Sequence, residues 1–199
     1  MNKTKRKIFE TSLKLFSEKG YDATSIEEIT ATVGVAKGTL YYHFKSKEEI
    51  LDALIDRIIQ GMTSNIRLAL SDKSTALQKL ISFVGAMKVD SAIGKEITDY
   101  AHKPQNALMH QKIQNSLLAV LTPIASEIIK EGIKEGIVST NYPEEAAEML
   151  LIYSSVVFDD MNEMTPIEWK RKAEGFVFNM ERLLGIKQGS ISDIIKYIN

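Results

Sequence analysis

The chain has 199 residues and a formal net charge of −1, from 25 Lys plus Arg against 26 Asp plus Glu. That length supports one domain or two small ones with a sizeable core, and 44% hydrophobic with 26% charged residues is a soluble globular composition. The charge balance excludes a protein that coats nucleic acid through bulk positive charge, and the absence of cysteine excludes disulfide scaffolds, cysteine zinc sites and thiol nucleophiles.

Only 11 glycines and 4 prolines interrupt the chain, and all four prolines lie beyond residue 103, which predicts long helices. The basic N-terminus is not followed by an apolar stretch, because Lys14, Glu18 and Lys19 interrupt it, so no secretory signal is read. The longest uncharged segments, 113–126 and 149–158, are too short to span a bilayer. The expectation is an all-α cytoplasmic protein of about nine helices, with no membrane partner.

In chain order, the first twenty residues read as one helix, with Ile8, Ser12, Leu15 and Phe16 on one face and Gly20 after the last turn. Thr24-Ser25-Ile26-Glu27 reads as a capping box, with Thr24 as the cap and Glu27 reaching back, opening a short helix over 25–32. Gly34 lies between Val33 and Val35, and a second short helix is predicted over 36–43. Two short helices joined by a turn containing glycine form a helix-turn-helix pattern. Ser46-Lys47-Glu48-Glu49 opens a long amphipathic helix whose stripe runs from Ile50 to Leu70. Further helices are predicted at 74–88, 91–101, 104–132, 143–163 and 166–184, with Pro123 kinking or splitting the third of these. Thr165-Pro166-Ile167-Glu168 is a helix start with cap, proline and returning glutamate. Ile191, Ile194, Ile195 and Ile198 predict a short terminal helix that must dock.

A recognition helix must expose hydrogen-bonding side chains where it enters the major groove. Lys37, Thr39, Tyr41, Tyr42 and His43 supply them, Leu40 and Phe44 can anchor the opposite face, and Gly38 permits close backbone approach. Taken alone, Tyr41, Tyr42 and His43 are equally readable as core or surface residues. The segment from Gly20 to Glu49 resembles the DNA-binding domain of the TetR family of transcriptional repressors. The residues that carry the resemblance are Phe16, Gly20, Tyr21, Thr24-Ser25, Gly34-Val35, Lys37 to Tyr41, His43-Phe44 and Lys45 to Glu48. It covers roughly the first 50 residues and implies a three-helix DNA-binding domain at 1–47, followed by a larger helical ligand-binding and dimerisation domain at 48–199. It further implies phosphate contacts from Thr24, Ser25 and Lys47. Lys3, Lys5, Arg6 and Lys7 add a basic cluster beside this unit. The family commonly has serine where this chain has Ala36, which cannot cap the recognition helix; such a loss typically costs about 1 kcal/mol.

Beyond residue 50 the resemblance is generic. It implies a palindromic operator read by a homodimer, and release by an apolar or amphipathic small-molecule inducer. Phe83, Met87, Tyr100, His110, Leu117 and Tyr153 fall on helices that line the family's pocket, and each is also readable as ordinary core. Ser154, Val157, Phe158, Trp169, Phe176, Met180 and Leu184, on the last two long helices, are expected at the dimer interface. One face of the last helix carries Trp169, Ala173, Phe176, Val177, Met180 and Leu184, while Phe178 points away. His102 and His110 lack carboxylate companions, so no metal and no cofactor are expected. Two alternatives stay open: a helix-turn-helix protein controlled by a protein partner or organising the nucleoid, and a helical enzyme. The second lacks a phosphate loop, a Gly-x-Ser-x-Gly and a Glu-x-x-His pair.

Overall fold

The computed structural model describes residues 2–71, 75–87, 106–158 and 164–198, and among these all regular structure is helical. The helices are α1 (Lys3–Lys19), α2 (Ile26–Val33), α3 (Lys37–His43), α4 (Lys47–Ala69), α5 (Ala76–Ala86), α6 (Ala107–Lys134), α7 (Pro143–Val157) and α8 (Pro166–Leu184). A 3₁₀ turn at Ser192–Ile194 leads into α9 (Ile195–Ile198). The helix expected at 91–101, and Tyr100 within it, lie outside the described residues.

The chain divides into two units. The first draws on Met1–Gln60 and Asp90–Asn115, the second on Gly61–Val89 and Ser116–Asn199. The division therefore falls inside α4, not at its start, and α6 contributes its first turns to one unit and its remainder to the other.

In the first unit, Ile8, Phe9, Leu13, Leu15 and Phe16 of α1 pack with Ile29 and Val33 of α2, Leu40 of α3, and Phe44. Ile50, Leu51, Leu54, Ile55 and Ile58 of α4 complete that core, together with Met109 from α6. Burying side chains of this size stabilises by about 1.5–3 kcal/mol each. Gly34 ends α2 in the left-handed conformation (φ 78°), which a side-chain-bearing residue adopts only at a cost. The helix-turn-helix bend depends on it.

Cap chemistry departs from expectation at the start of α2. Ser25, not Thr24, is the cap, its Oγ accepting from the Glu28 amide at 3.1 Å. Thr24 is buried, and its hydroxyl donates to the carbonyls of Gly20 (2.8 Å) and Leu15 (3.3 Å). Shifting the cap by one residue frees Glu27 from reaching back. At the start of α4, Ser46 Oγ accepts from the Glu49 amide at 3.0 Å as expected, while the Glu49 carboxylate turns to the Lys45 amide.

The second unit is built on Met62 and Ile66 of α4, Leu80 and Phe83 of α5, and Leu121, Ala125, Ile128 and Ile129 of α6. Leu151 of α7 and Phe176, Val177, Met180 and Leu184 of α8 pack with them. Helix α6 runs unbroken through Pro123. Proline removes one i→i−4 bond, but Leu121 and Ala125 on either side are buried and hold both turns, and Pro123 itself faces outward. The predicted capping box of α8 is present, with both Thr165 and Glu168 engaged. The terminal segment docks: Ile191 and Ile194 are fully buried, and the buried Glu181 carboxylate accepts from the amides of Gly189 (2.9 Å) and Ile191 (3.1 Å).

Candidate nucleic-acid interface

Helix α3 has two chemically different faces. Leu40 and the following Phe44 are buried in the first unit's core, so the rest of the helix is turned outward. Tyr42 is 84% exposed and Tyr41 44%; Lys37 and Gly38 are exposed, while Thr39 and His43 are half-buried. A Cβ built on Gly38 would meet nothing within 4 Å, so the backbone there lies open to an approaching surface. The ring of Tyr42 packs edge-on against His43 at 4.9 Å between centroids, which restricts both side chains. Ala36 begins the helix in an extended conformation without a side-chain cap bond.

Charge on this face is arranged by carboxylates. Lys37 Nζ lies 2.5 Å from Glu27 Oε1, a pair between the first turn of α2 and the first residue of α3. The hydrogen bond from Lys37 holds the Glu27 carboxyl below its ordinary range, and the same bond raises the Lys37 ammonium above its own. Lys37 also stands 5.9 Å over the Tyr41 ring. Lys19 pairs with Glu28, joining α1 to α2.

The other expected contacts are placed differently. Ser25 is exposed at the start of α2 while its Oγ serves as the cap, whereas the Thr24 hydroxyl is turned inward and has no access to a phosphate. Lys47 donates to the carbonyls of Tyr21 (2.8 Å), Thr24 (2.9 Å) and Asp22 (3.4 Å), with its ammonium 4.3 Å from the Tyr21 ring centroid. The N-terminal basic residues lie in α1, not on a free arm. Lys7 donates to the Val33 carbonyl at 2.8 Å, Lys5 lies over the Phe44 ring and Arg6 pairs with Glu10.

Three residues that local sequence pattern did not single out complete the unit. Asn106 is buried, and its Oδ1 accepts from the Tyr21 amide at 3.0 Å. Met109 is fully buried in the same core, and Lys112 reaches both Glu48 (2.6 Å) and Asp52 (3.0 Å) on α4. Those bonds raise the Lys112 ammonium above its ordinary range, Glu48 contributing most. Burial, then the Glu48 charge, pushes the Tyr21 phenol up as well. The only sequence signal for this bracket was an asparagine near the start of a long predicted helix.

In the second unit, Phe83 is buried in the core, with Met87 and Leu117 packed against it; His110 belongs to the first unit. Tyr153 stacks on Phe176 at 5.5 Å, and Phe158 meets both rings edge-on. Of the residues expected at a dimer interface, Phe176, Met180 and Leu184 are buried in the chain's own core, while Ser154, Val157, Phe158 and Trp169 are half-buried. The exposed apolar side chains of these helices are Met149, Ile152, Tyr153 and Val156 on α7, and Ile167 and Phe178 on α8. No helix among the described residues is long and apolar enough to cross a membrane.

Residues 8–54 match the family model described as bacterial regulatory proteins, tetR family, and residues 89–176 that described as tetracyclin repressor-like, C-terminal domain. The uncharacterized HTH-type transcriptional regulator YerO of Bacillus subtilis (strain 168) is 46% identical over 65 residues, which is 33% of this chain but only 22% of that protein. YhgD, a second uncharacterized HTH-type transcriptional regulator of the same strain, is 26% identical over 172 residues, 82% of this chain and 87% of its own. IcaR of Staphylococcus epidermidis, the HTH-type negative transcriptional regulator of the biofilm operon icaADBC, is 29% identical over 128 residues, 63% and 68% of the two chains. A SmeT–triclosan complex shares the fold with a TM-score of 0.65 at 19% identity, over 95% of this chain and 94% of that one. A gamma-butyrolactone receptor (ArpA-like protein) does so at 0.60 and 19%, over 98% and 96%.

Proposed function

Because the chain belongs to the tetR family of bacterial transcription regulators, we propose that it is a DNA-binding repressor that reads its operator with α3. The observation that carries this reading is the two-faced α3: Leu40 is locked into the core while Lys37, Gly38, Tyr41 and Tyr42 face outward. Exposed tyrosine hydroxyls and a lysine can bond phosphates and base edges, and an open glycine allows the backbone close to the duplex. Ser25 and Thr39 join this set, and His43 supports it through the Tyr42 ring. Lys47 acts by holding the turn between α1 and α2 through its three carbonyls.

The operator is a palindrome bound by a homodimer, two α3 helices about 34 Å apart reading successive major grooves. The exposed apolar residues of α7 and α8 support a dimer made by these two helices. A small apolar or amphipathic inducer binds in the second unit, where Phe83, Met87 and Leu117 offer apolar and polarisable contacts. The triclosan and butyrolactone ligands named for the fold neighbours are of that chemistry. Helix α6 suits the transmission of release, because Asn106 just before it braces Tyr21 while its residues from Ser116 onward belong to the second unit. The inducer need only prefer one of two states by a few kcal/mol.

The test is selection of the operator from a random duplex pool, followed by titration of Tyr42→Ala. Loss of a phosphate bond at this exposed position should weaken operator binding about ten-fold or more, with the melting temperature unchanged. Wild-type affinity in Tyr42→Ala would remove Tyr42 from the DNA-reading set.

A further inference from the structure

The pair between Glu27 and Lys37 sits on the face proposed to meet DNA, and its chemistry sets two anions in competition. Lys37 opens α3, and its ammonium is 2.5 Å from the Glu27 carboxylate. Both side chains are exposed, and neither helix needs the pair as a cap, since Ser25 caps α2 and α3 begins without a side-chain cap. Three nearby lysines have structural partners of their own: Lys47 the backbone carbonyls, Lys7 the Val33 carbonyl and Lys5 the Phe44 ring, while the exposed Lys45 follows α3. Lys37 is thus the cation that α3 itself brings to the interface, and it arrives already neutralised.

We propose that Glu27 is a specificity-determining residue: by pairing with Lys37 it withholds one phosphate contact from non-specific DNA. The inference rests on the reading of α3 as the DNA-facing helix. A random duplex presents base-edge acceptors in no matched arrangement, so Lys37 meets chiefly phosphate, an anion competing with a carboxylate already in place. An operator adds base-edge acceptors and the contacts of Tyr41 and Tyr42, which fix Lys37 against the duplex and outweigh the pair. Exposed ion pairs are weak, so Glu27 tunes binding by a small factor and does not block it. Specificity gained by penalising the wrong partner is a general device of recognition.

The experiment uses the full-length protein and fluorescence anisotropy, with a random-sequence duplex and the selected operator as probes, titrated from about 50 to about 200 mM salt. Glu27→Gln keeps the side chain's size and removes its charge. It should tighten random-duplex binding about two- to five-fold, make the log–log salt slope steeper by about 0.9 for each head that engages the duplex, and change operator affinity less. Lys37→Met should weaken operator binding and change random-duplex binding little, and Glu27→Gln should tighten the random duplex far less in the Lys37→Met background than it does alone. Equal tightening by Glu27→Gln with and without Lys37 would overturn the proposal, because simple relief of carboxylate–phosphate repulsion would then account for it. An unchanged salt slope in Glu27→Gln, with Lys37→Met still weakening binding, would overturn it too. Full operator binding in Lys37→Met would overturn the placement of Lys37 at the DNA, and with it the role of Glu27.

Discussion

Thr24 and Ser25 show how one residue's displacement divides structure from function. Both are hydroxyl residues that favour the cap position, yet the Thr24 hydroxyl donates inward to two carbonyls while Ser25 stays on the surface and caps α2. Thr24→Val keeps the shape and leaves the Gly20 and Leu15 carbonyls short of a donor in a buried site. A loss of about 1–3 kcal/mol in urea unfolding is expected, with DNA affinity per folded molecule unchanged. Ser25→Ala should cost about 1 kcal/mol as a lost cap and, unlike Thr24→Val, should also weaken DNA binding at constant temperature. If the two variants behave alike in anisotropy titrations, the phosphate role of Ser25 fails. Glu27 belongs to the same scale: once the cap moves from Thr24 to Ser25, its carboxylate is released toward Lys37.

At the scale of elements, Asn106 and the first two turns of α6 pack into the same unit as the three N-terminal helices. Asn106 accepts from the Tyr21 amide, Met109 enters the core, and Lys112 bridges Glu48 and Asp52. Asn106→Ala leaves the Tyr21 amide without its acceptor, and unfolding should be easier by about 1–3 kcal/mol. Operator binding should weaken alongside, because Tyr21 also carries two of the contacts that fix Lys47. Unchanged stability and affinity in Asn106→Ala would show that this bracket does not support the unit. The helix-turn-helix was legible in the sequence because its signals are local: Gly34 in the turn, Leu40 and Phe44 one turn apart, the Thr24-Ser25 helix start, and Ser46 three residues ahead of Glu49. The bracket was not, since Asn106 and Lys112 meet partners 60 to 85 residues away, a separation that no periodicity records. Pro123 does not split α6, as the local rule allowed, because buried neighbours on both sides hold the two turns together.

At the scale of the whole molecule, the near-neutral total conceals a basic N-terminal segment: residues 1–47 carry a net +4 and residues 48–199 a net −5. In the proposed homodimer, two such segments acting together would double the phosphates neutralised and the steepness of the salt dependence. The two faces of α8 were visible in its 100° periodicity, but periodicity does not say which face the chain keeps for itself. Phe176, Met180 and Leu184 are kept, which makes Phe176→Glu a folding defect and no probe of association. Val156, 68% exposed in line with Met149, Ile152 and Tyr153 on α7, is the informative position. Val156→Glu places a charge where the single chain tolerates it and an apolar dimer interface does not. It should leave far-UV circular dichroism intact while sedimentation shifts from dimer to monomer and operator affinity falls about a hundred-fold or more, because a lone head loses the second half-site's contribution. A variant that still sediments as a dimer would place the interface away from this face of α7.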